Sequence, residues 1–163
     1  MTSDGGGFHS NRWPQSAAEL AKIRLVLEPG APYATETIWA RALGDGLFVL
    51  DNVPFFAYGL SLGDKVYARP TSESILEYSD VAERGGHSTY RVVLSDSVAG
   101  TRAEAYWQEL QALGCDREIA TSRLWAFDLA PGVDIHRVYR VLEKAEAEGT
   151  WTFEEAHVGH DVG

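Results

Sequence analysis

Residues 88–114 read STYRVVLSDSVAGTRAEAYWQELQALG, and the hydrophobic period changes within them. Tyr90, Val92 and Leu94 alternate with Thr89 and Arg91, the two-residue period of a half-buried strand. That phase puts Tyr90, Val92 and Leu94 on the core face, and His87 and Thr89 on the other. Further on, Ala103, Tyr106, Trp107, Leu110 and Leu113 recur at helical spacing, and Gly114 stands where a helix commonly ends in the left-handed conformation. Downstream, EIATSRLWAFDLAP (118–131) reads as two strands with a turn near Thr121-Ser122. Asp134 is placed to cap a helix carrying Ile135, Val138, Tyr139, Leu142 and Ala145, which Gly149 ends. TWTFEEAHV (150–158) is a last strand. Strand, helix, strand, strand, helix, strand is the order of a ferredoxin-like βαββαβ unit.

Upstream the period stays near two. AKIRLVLEP (21–29), TETIWARAL (35–43) and LFVLDNV (47–53) read as strands, the last two joined by Gly44-Asp45-Gly46, a strong hairpin signal. Gly63-Asp64 turns the chain into a short strand at 65–68, where the aspartate is suited to accept from turn amides. SILEYSDVAER (74–84) then runs to Gly85-Gly86. Such a set predicts a small antiparallel β-barrel or curled sheet. The expected class is α+β: an arm at 1–18, poor in apolar residues, a barrel-like part at 19–84 and a ferredoxin-like part at 85–163, packed as one compact unit.

The chain has 163 residues, of which 45% are hydrophobic, and five Trp, seven Tyr and six Phe supply large side chains for a core. The net charge of −10, with no Lys/Arg cluster, argues against nucleic acid and for a small ligand or a basic protein partner. One cysteine, Cys115, precludes an internal disulfide. With no leader-like or membrane-spanning apolar run, the expected location is the cytoplasm.

DNVPFFAYGLSLGD (51–64), GGHSTYRV (85–92) and HVGH (157–160), supported by TIWA (37–40) and LGC (113–115), resemble a bacterial family known only as domain of unknown function four-two-six-five. The resemblance runs from Arg24 to His160 and implies no activity, substrate or cofactor. The family's closing motif often holds a cysteine between its two histidines. Val158 stands there in this chain, so no thiol role is implied.

Two groups of side chains are candidates for function. Phe55, Phe56 and Tyr58 form either a groove wall or partner patch, or a plug for the open end of the barrel. The histidines form the other group. In the ferredoxin-like order the first and last strands are neighbours, which brings His87 near His157 and His160. Histidine suits proton transfer near neutral pH, so His87, Ser88 and His160 are candidate acid/base groups, with His157 and Glu155 beside them. Parity places His157 with Trp151 and Phe153 on the core face. A metal held by three imidazoles is the less favoured use, and neither metal nor cofactor is expected. Hydrogen-bonded structural histidines are the plain alternative. The function expected is a binding protein with a polar, histidine-containing site at the sheet edge. The alternatives are a small enzyme using His87 as general acid/base and an immunity-type protein that neutralises a basic effector. Cys115 reads as a buried thiol.

Overall fold

The computed structural model describes residues 20–95 and 100–163; the expected arm at 1–18 lies outside the described residues. Five strands come first: β1 (Leu20–Val26), β2 (Thr35–Gly44), β3 (Leu47–Leu50), β4 (Lys65–Pro70) and β5 (Leu76–Glu83). Each pairs antiparallel with the next. The sheet curls until β5 meets β1, with Ile23 opposite Leu76, and the ring closes. This closing contact is parallel, whereas the turn pattern predicted antiparallel pairing throughout. The strands run up and down and their number is odd, so the first and last must point the same way. Positive φ at Gly44, Asp45 and Gly46 (96°, 56° and 76°) makes the tight β2–β3 turn. Ile23, Leu25, Ile38, Ala40, Leu50 and Val66 fill the ring.

The second sheet holds β6 (Ser88–Leu94), β7 (Asp116–Ile119), β8 (Leu124–Leu129) and β9 (Trp151–His157), with α1 (Gly100–Ala112) and α2 (Ile135–Ala147). Its order is β7-β8-β6-β9 and every pair is antiparallel. The molecule is thus of α+β class, with two helices and mostly antiparallel strands in two sheets. Tyr90, Val92 and Leu94 join Trp125, Phe127 and Trp151 in one core with Trp107, Leu110, Val138 and Leu142 from the helices. Asp134 caps α2, its Oδ1 accepting from the backbone N–H groups of His136 and Arg137. Tyr139, expected in the core, stands at its rim, 36% exposed, with its ring edge-on to Phe153.

Strand alternation explains how the two sheets meet. With Tyr90 and Val92 under the helices, Thr89 and Arg91 face the other way, together with their β8 partners Asp128 and Ala126. That polar face is covered by the ring: Ala126 packs with Val53 and Leu62, and Thr89 Oγ1 lies 2.7 Å from Ser61 Oγ. Ser61, Thr89, Arg91 and Asp128 are consequently buried. No helix among the described residues is long and apolar enough to cross a membrane.

Candidate functional site

Arg91 comes from the middle of β6 and is 2% exposed. A buried guanidinium needs partners for its charge and its donors. Nε donates to Glu154 Oε1 at 2.8 Å, and Nη1 donates to the carbonyls of Ala57 (2.8 Å) and Pro54 (3.3 Å). The second Glu154 oxygen accepts from the Tyr58 hydroxyl at 2.6 Å, a bond that raises the Tyr58 pKa above its ordinary value, with burial adding to the effect. The Tyr58 ring also covers the guanidinium at 4.6 Å. The guanidinium and the Tyr58 hydroxyl are also within hydrogen-bonding reach, which lowers the Tyr58 pKa against the larger upward effect of Glu154.

The aromatic segment after Pro54 is fastened at several points. Glu36 accepts three backbone N–H groups, from Phe55 (2.6 Å), Phe56 (3.1 Å) and Ala57 (3.0 Å). Glu118 accepts the N–H of Val53. Phe55 packs on the cluster between ring and second sheet, and Phe56 meets the ring of Tyr33 edge-on at 5.1 Å. With Tyr58 they wall a cleft of about 410 Å³, completed by Arg91, Val93 and the β1–β2 loop around Pro29 and Pro32.

The structure separates the histidines onto two faces of β6. His87 Nδ1 lies 2.8 Å from Asp128 Oδ1, an oxygen placed to accept, so the ring donates from Nδ1. The other nitrogen, Nε2, then presents a lone pair, and it has no hydrogen-bond partner among the described residues. His160 lies on the opposite face. Ser88 Oγ accepts from the backbone N–H groups of Gly159 (2.9 Å) and His160 (3.2 Å), which directs its own hydrogen to His160 Nδ1 at 2.6 Å. His160 Nε2–H therefore donates to the Ala130 carbonyl at 2.9 Å. Both ring nitrogens of His160 and the Ser88 hydroxyl are thereby engaged in closing the C-terminus onto β6. Glu155 accepts from the Tyr90 hydroxyl on the helix side, away from His87. Among the described residues no three His, Cys, Asp or Glu side chains are grouped to hold a metal.

His157 corrects the parity prediction. A β-bulge between Thr89 and Tyr90 lets β9 shift register, so that Glu155 opposes Tyr90 but His157 opposes Thr89. His157 thereby joins the face of Thr89 rather than that of Trp151. Burial, with Arg84 nearby, lowers its pKa, and Asp64 opposes the shift. A histidine that protonates less readily when folded lets the unfolded state take up its proton first. Its stabilising contribution is thus present above the unfolded pKa of 6.5 and is lost as pH falls through it. We expect urea midpoints to fall between pH 7.5 and 5.5, and less steeply in His157→Gln; equal slopes would exclude this contribution.

Three glycines let the backbone close around His87. A methyl group on Gly159 would lie 2.2 Å from the His87 carbonyl oxygen, and one on Gly85 2.5 Å from that of Gly63. Gly63 itself has φ +86°, and its added Cβ would touch the His87 ring at 3.2 Å. Backbone cannot yield as a side chain can, so Gly159→Ala is expected to cost about 1–3 kcal/mol in chemical denaturation; a neutral result would show that residues 158–160 swing clear. Asp64, buried in the same junction, accepts from Ser61 N–H, Gly85 N–H and Arg84, the turn-amide role expected for it. Cys115 is buried, and desolvation first, then Asp128 and Asp116, push its thiol up to about 12, which leaves it protonated.

The sequence did not single out Arg91, Glu36 or Asp128. Arg91 carried one signal, a lone cation in the middle of a strand whose other face is wholly apolar. The carboxylates that receive these donors lie far away in the chain.

The fold is shared with a hypothetical protein from Neisseria gonorrhoeae of solved crystal structure, at a TM-score of 0.74 and 18% identity, over 88% of this chain and 98% of that one. No curated protein matches the sequence. Residues 36–153 match a family model described as a domain of unknown function (DUF4265). That span runs from β2 into β9 and takes in the aromatic segment, Arg91, His87 and Asp128, and the chain belongs to this family.

Proposed function

We propose that the protein binds a small ligand in the cleft between the ring and the second sheet, which packs with it as one unit in a ferredoxin-like arrangement. The observation that carries this reading is the fixed aromatic wall of the cleft: Glu36 holds the backbone of Phe55, Phe56 and Ala57, and Arg91, 2% exposed, spends three hydrogen bonds on Glu154 and on the carbonyls of Pro54 and Ala57. A cleft of about 410 Å³ lies within the usual range for small-molecule sites, where apolar walls surround a few fixed polar groups. The fastening of 55–57 by Glu36 preorganises those walls. In this reading the ligand lies beside Phe55, Phe56 and Tyr58 rather than beside His160.

The test is a filled cleft. Val93 lines it and is 44% exposed, so Val93→Trp occupies the space from a position that already meets solvent. Compounds found by ligand-observed NMR with the wild-type protein should bind Val93→Trp at least tenfold more weakly. Hits that bind both proteins alike would refute the reading.

His87 supports a second reading, a small enzyme. Asp128 holds Nδ1 and leaves Nε2 unpartnered, the orientation a general base requires. In this reading Ser88 and His160 position the strand end, and His157 lies on the same face as His87. A hydrolytic activity that survives His87→Gln would dismiss it.

A further inference from the structure

Independently of the aromatic cleft, we propose that the solvent side of the helix pair docks an acidic peptide segment of a protein partner, with a large apolar side chain set between carboxylates. Arg137, Arg140 and Lys144 stand at i, i+3 and i+7 of α2, so they share one helix face over a length of about 10 Å. All three are exposed. Among the described residues their side chains make no hydrogen bond, ion pair or ring contact, whereas Arg24, Arg41, Arg84, Arg91 and Arg117 are each paired with a carboxylate. Arg69, the other arginine without a partner, lies in the other sheet, on β4. Beside the strip a hollow of about 470 Å³ opens between the end of α1 and the start of α2, lined by Glu109, Ala112, Leu113, Arg137, Arg140 and Val141. Leu113 and Val141 give it an apolar floor packed on the core.

The fold alone gives these cations little use. The first turn of α2 holds no acid, and Arg137 stands there instead. A cation in the first turn meets the positive end of the helix dipole and is unfavourable. Asp134 accepts from the Arg137 backbone N–H and leaves its guanidinium unpaired. A local cost to stability, kept beside an apolar hollow, is the mark of a binding face. Two guanidiniums one turn apart each offer a fork that fits a carboxylate, and the floor between the helices takes the apolar side chain. Glu109 lines the same hollow and Glu143 precedes Lys144, yet neither forms an ion pair with the strip. The chain as a whole carries −10, but charges beyond about 8 Å are largely screened at physiological ionic strength, so the local cations decide. The length of the strip matches about three residues of an extended chain, which selects a peptide over a single small anion.

The hexapeptides EELFEE, QQLFQQ, KKLFKK and EEGGEE, and phenylacetate, are titrated into the full chain at pH 7 and followed by NMR of the Leu113 and Val141 methyls and the Arg137 and Arg140 guanidiniums. We expect EELFEE to shift these signals saturably and the other four to bind at least tenfold more weakly. The double variant Arg137→Glu/Arg140→Gln should weaken EELFEE at least tenfold with a urea midpoint no lower than that of the wild type, since it breaks no bond and puts an acid in the first turn. No saturable shift with EELFEE would overturn the docking face. QQLFQQ or EEGGEE binding as tightly would overturn the pairing of charge with an apolar anchor, KKLFKK would reverse the sign of the partner, and phenylacetate would replace the peptide by a small anion. Self-association of the full chain that the double variant abolishes would give the face to a second copy instead. A lowered urea midpoint with EELFEE binding unchanged would assign the two arginines to the fold.

Discussion

Arg91→Ala is expected to lower stability by about 3–5 kcal/mol in equilibrium unfolding, the cost of deleting a large buried side chain together with the donors it supplies. The variant removes a side chain whose stem is packed between two sheets. It also orphans the Pro54 and Ala57 carbonyls, which have no solvent to turn to. The loss of Coulombic attraction to Glu154 is the smaller part, because that carboxylate is 46% exposed and half-solvated pairs contribute little. The contrast supplies the check: Glu154→Gln keeps an oxygen for Nε and leaves both carbonyls bonded but removes the counter-charge of a buried guanidinium, so it should cost about 1–3 kcal/mol, less than Arg91→Ala. Equal losses in the two variants would mean that the ion pair, and not the carbonyl clamp, holds the aromatic segment in place.

This asymmetry bears on how much of the molecule can be read along the chain. The alternation of Tyr90, Val92 and Leu94, the helical spacing of Ala103 to Leu110 and the cap at Asp134 are local, and each element appears where local rules place it. The closing contact of β5 on β1 is a consequence of strand count. The bulge in β9 is different. Nothing within EEAHV states that one residue will be skipped opposite β6, and a single skipped residue moves His157 to the other face. The site is less local still. Asp128 and Glu154 look like ordinary carboxylates on strand faces. Only when the ring covers the polar face of the second sheet does Asp128 become the partner of His87, and only when the segment after Pro54 folds over Arg91 does a cleft exist. The segments brought together by the fold, 51–64, 85–92 and the terminal histidines, carry the family resemblance. The nearness of 85–92 and the terminal histidines was legible in the order of strands; that of 51–64 was not, nor was the division of labour between His87 and His160, because it depends on which face of β6 each one meets.

Trp107→Ala is expected to cost about 3–5 kcal/mol, the range for truncating a large buried aromatic. Trp107 is 7% exposed and stacks parallel on Phe127 at 5.7 Å. Phe127 in turn contacts the ring of Trp151 at 5.9 Å, and Trp151 that of Tyr106 at 5.8 Å. The four aromatics join α1 to β8 and β9, so the hole left by alanine opens where helix and sheet meet and cannot be filled by moving one neighbour. Arg117 lies over the same indole at 4.7 Å and over Trp125 at 4.6 Å, a cover that would lose half its footing. Leu110 and Leu142 beside it are fully buried and already in place, so the helix phase fixes the size of the loss. A change below about 1 kcal/mol would be that of a surface residue and would require α1 to be rotated about its axis. A loss of the expected size that leaves the binding of the cleft's NMR hits unchanged would also show that the helix-side core and the cleft on the far face of the sheet are energetically separable.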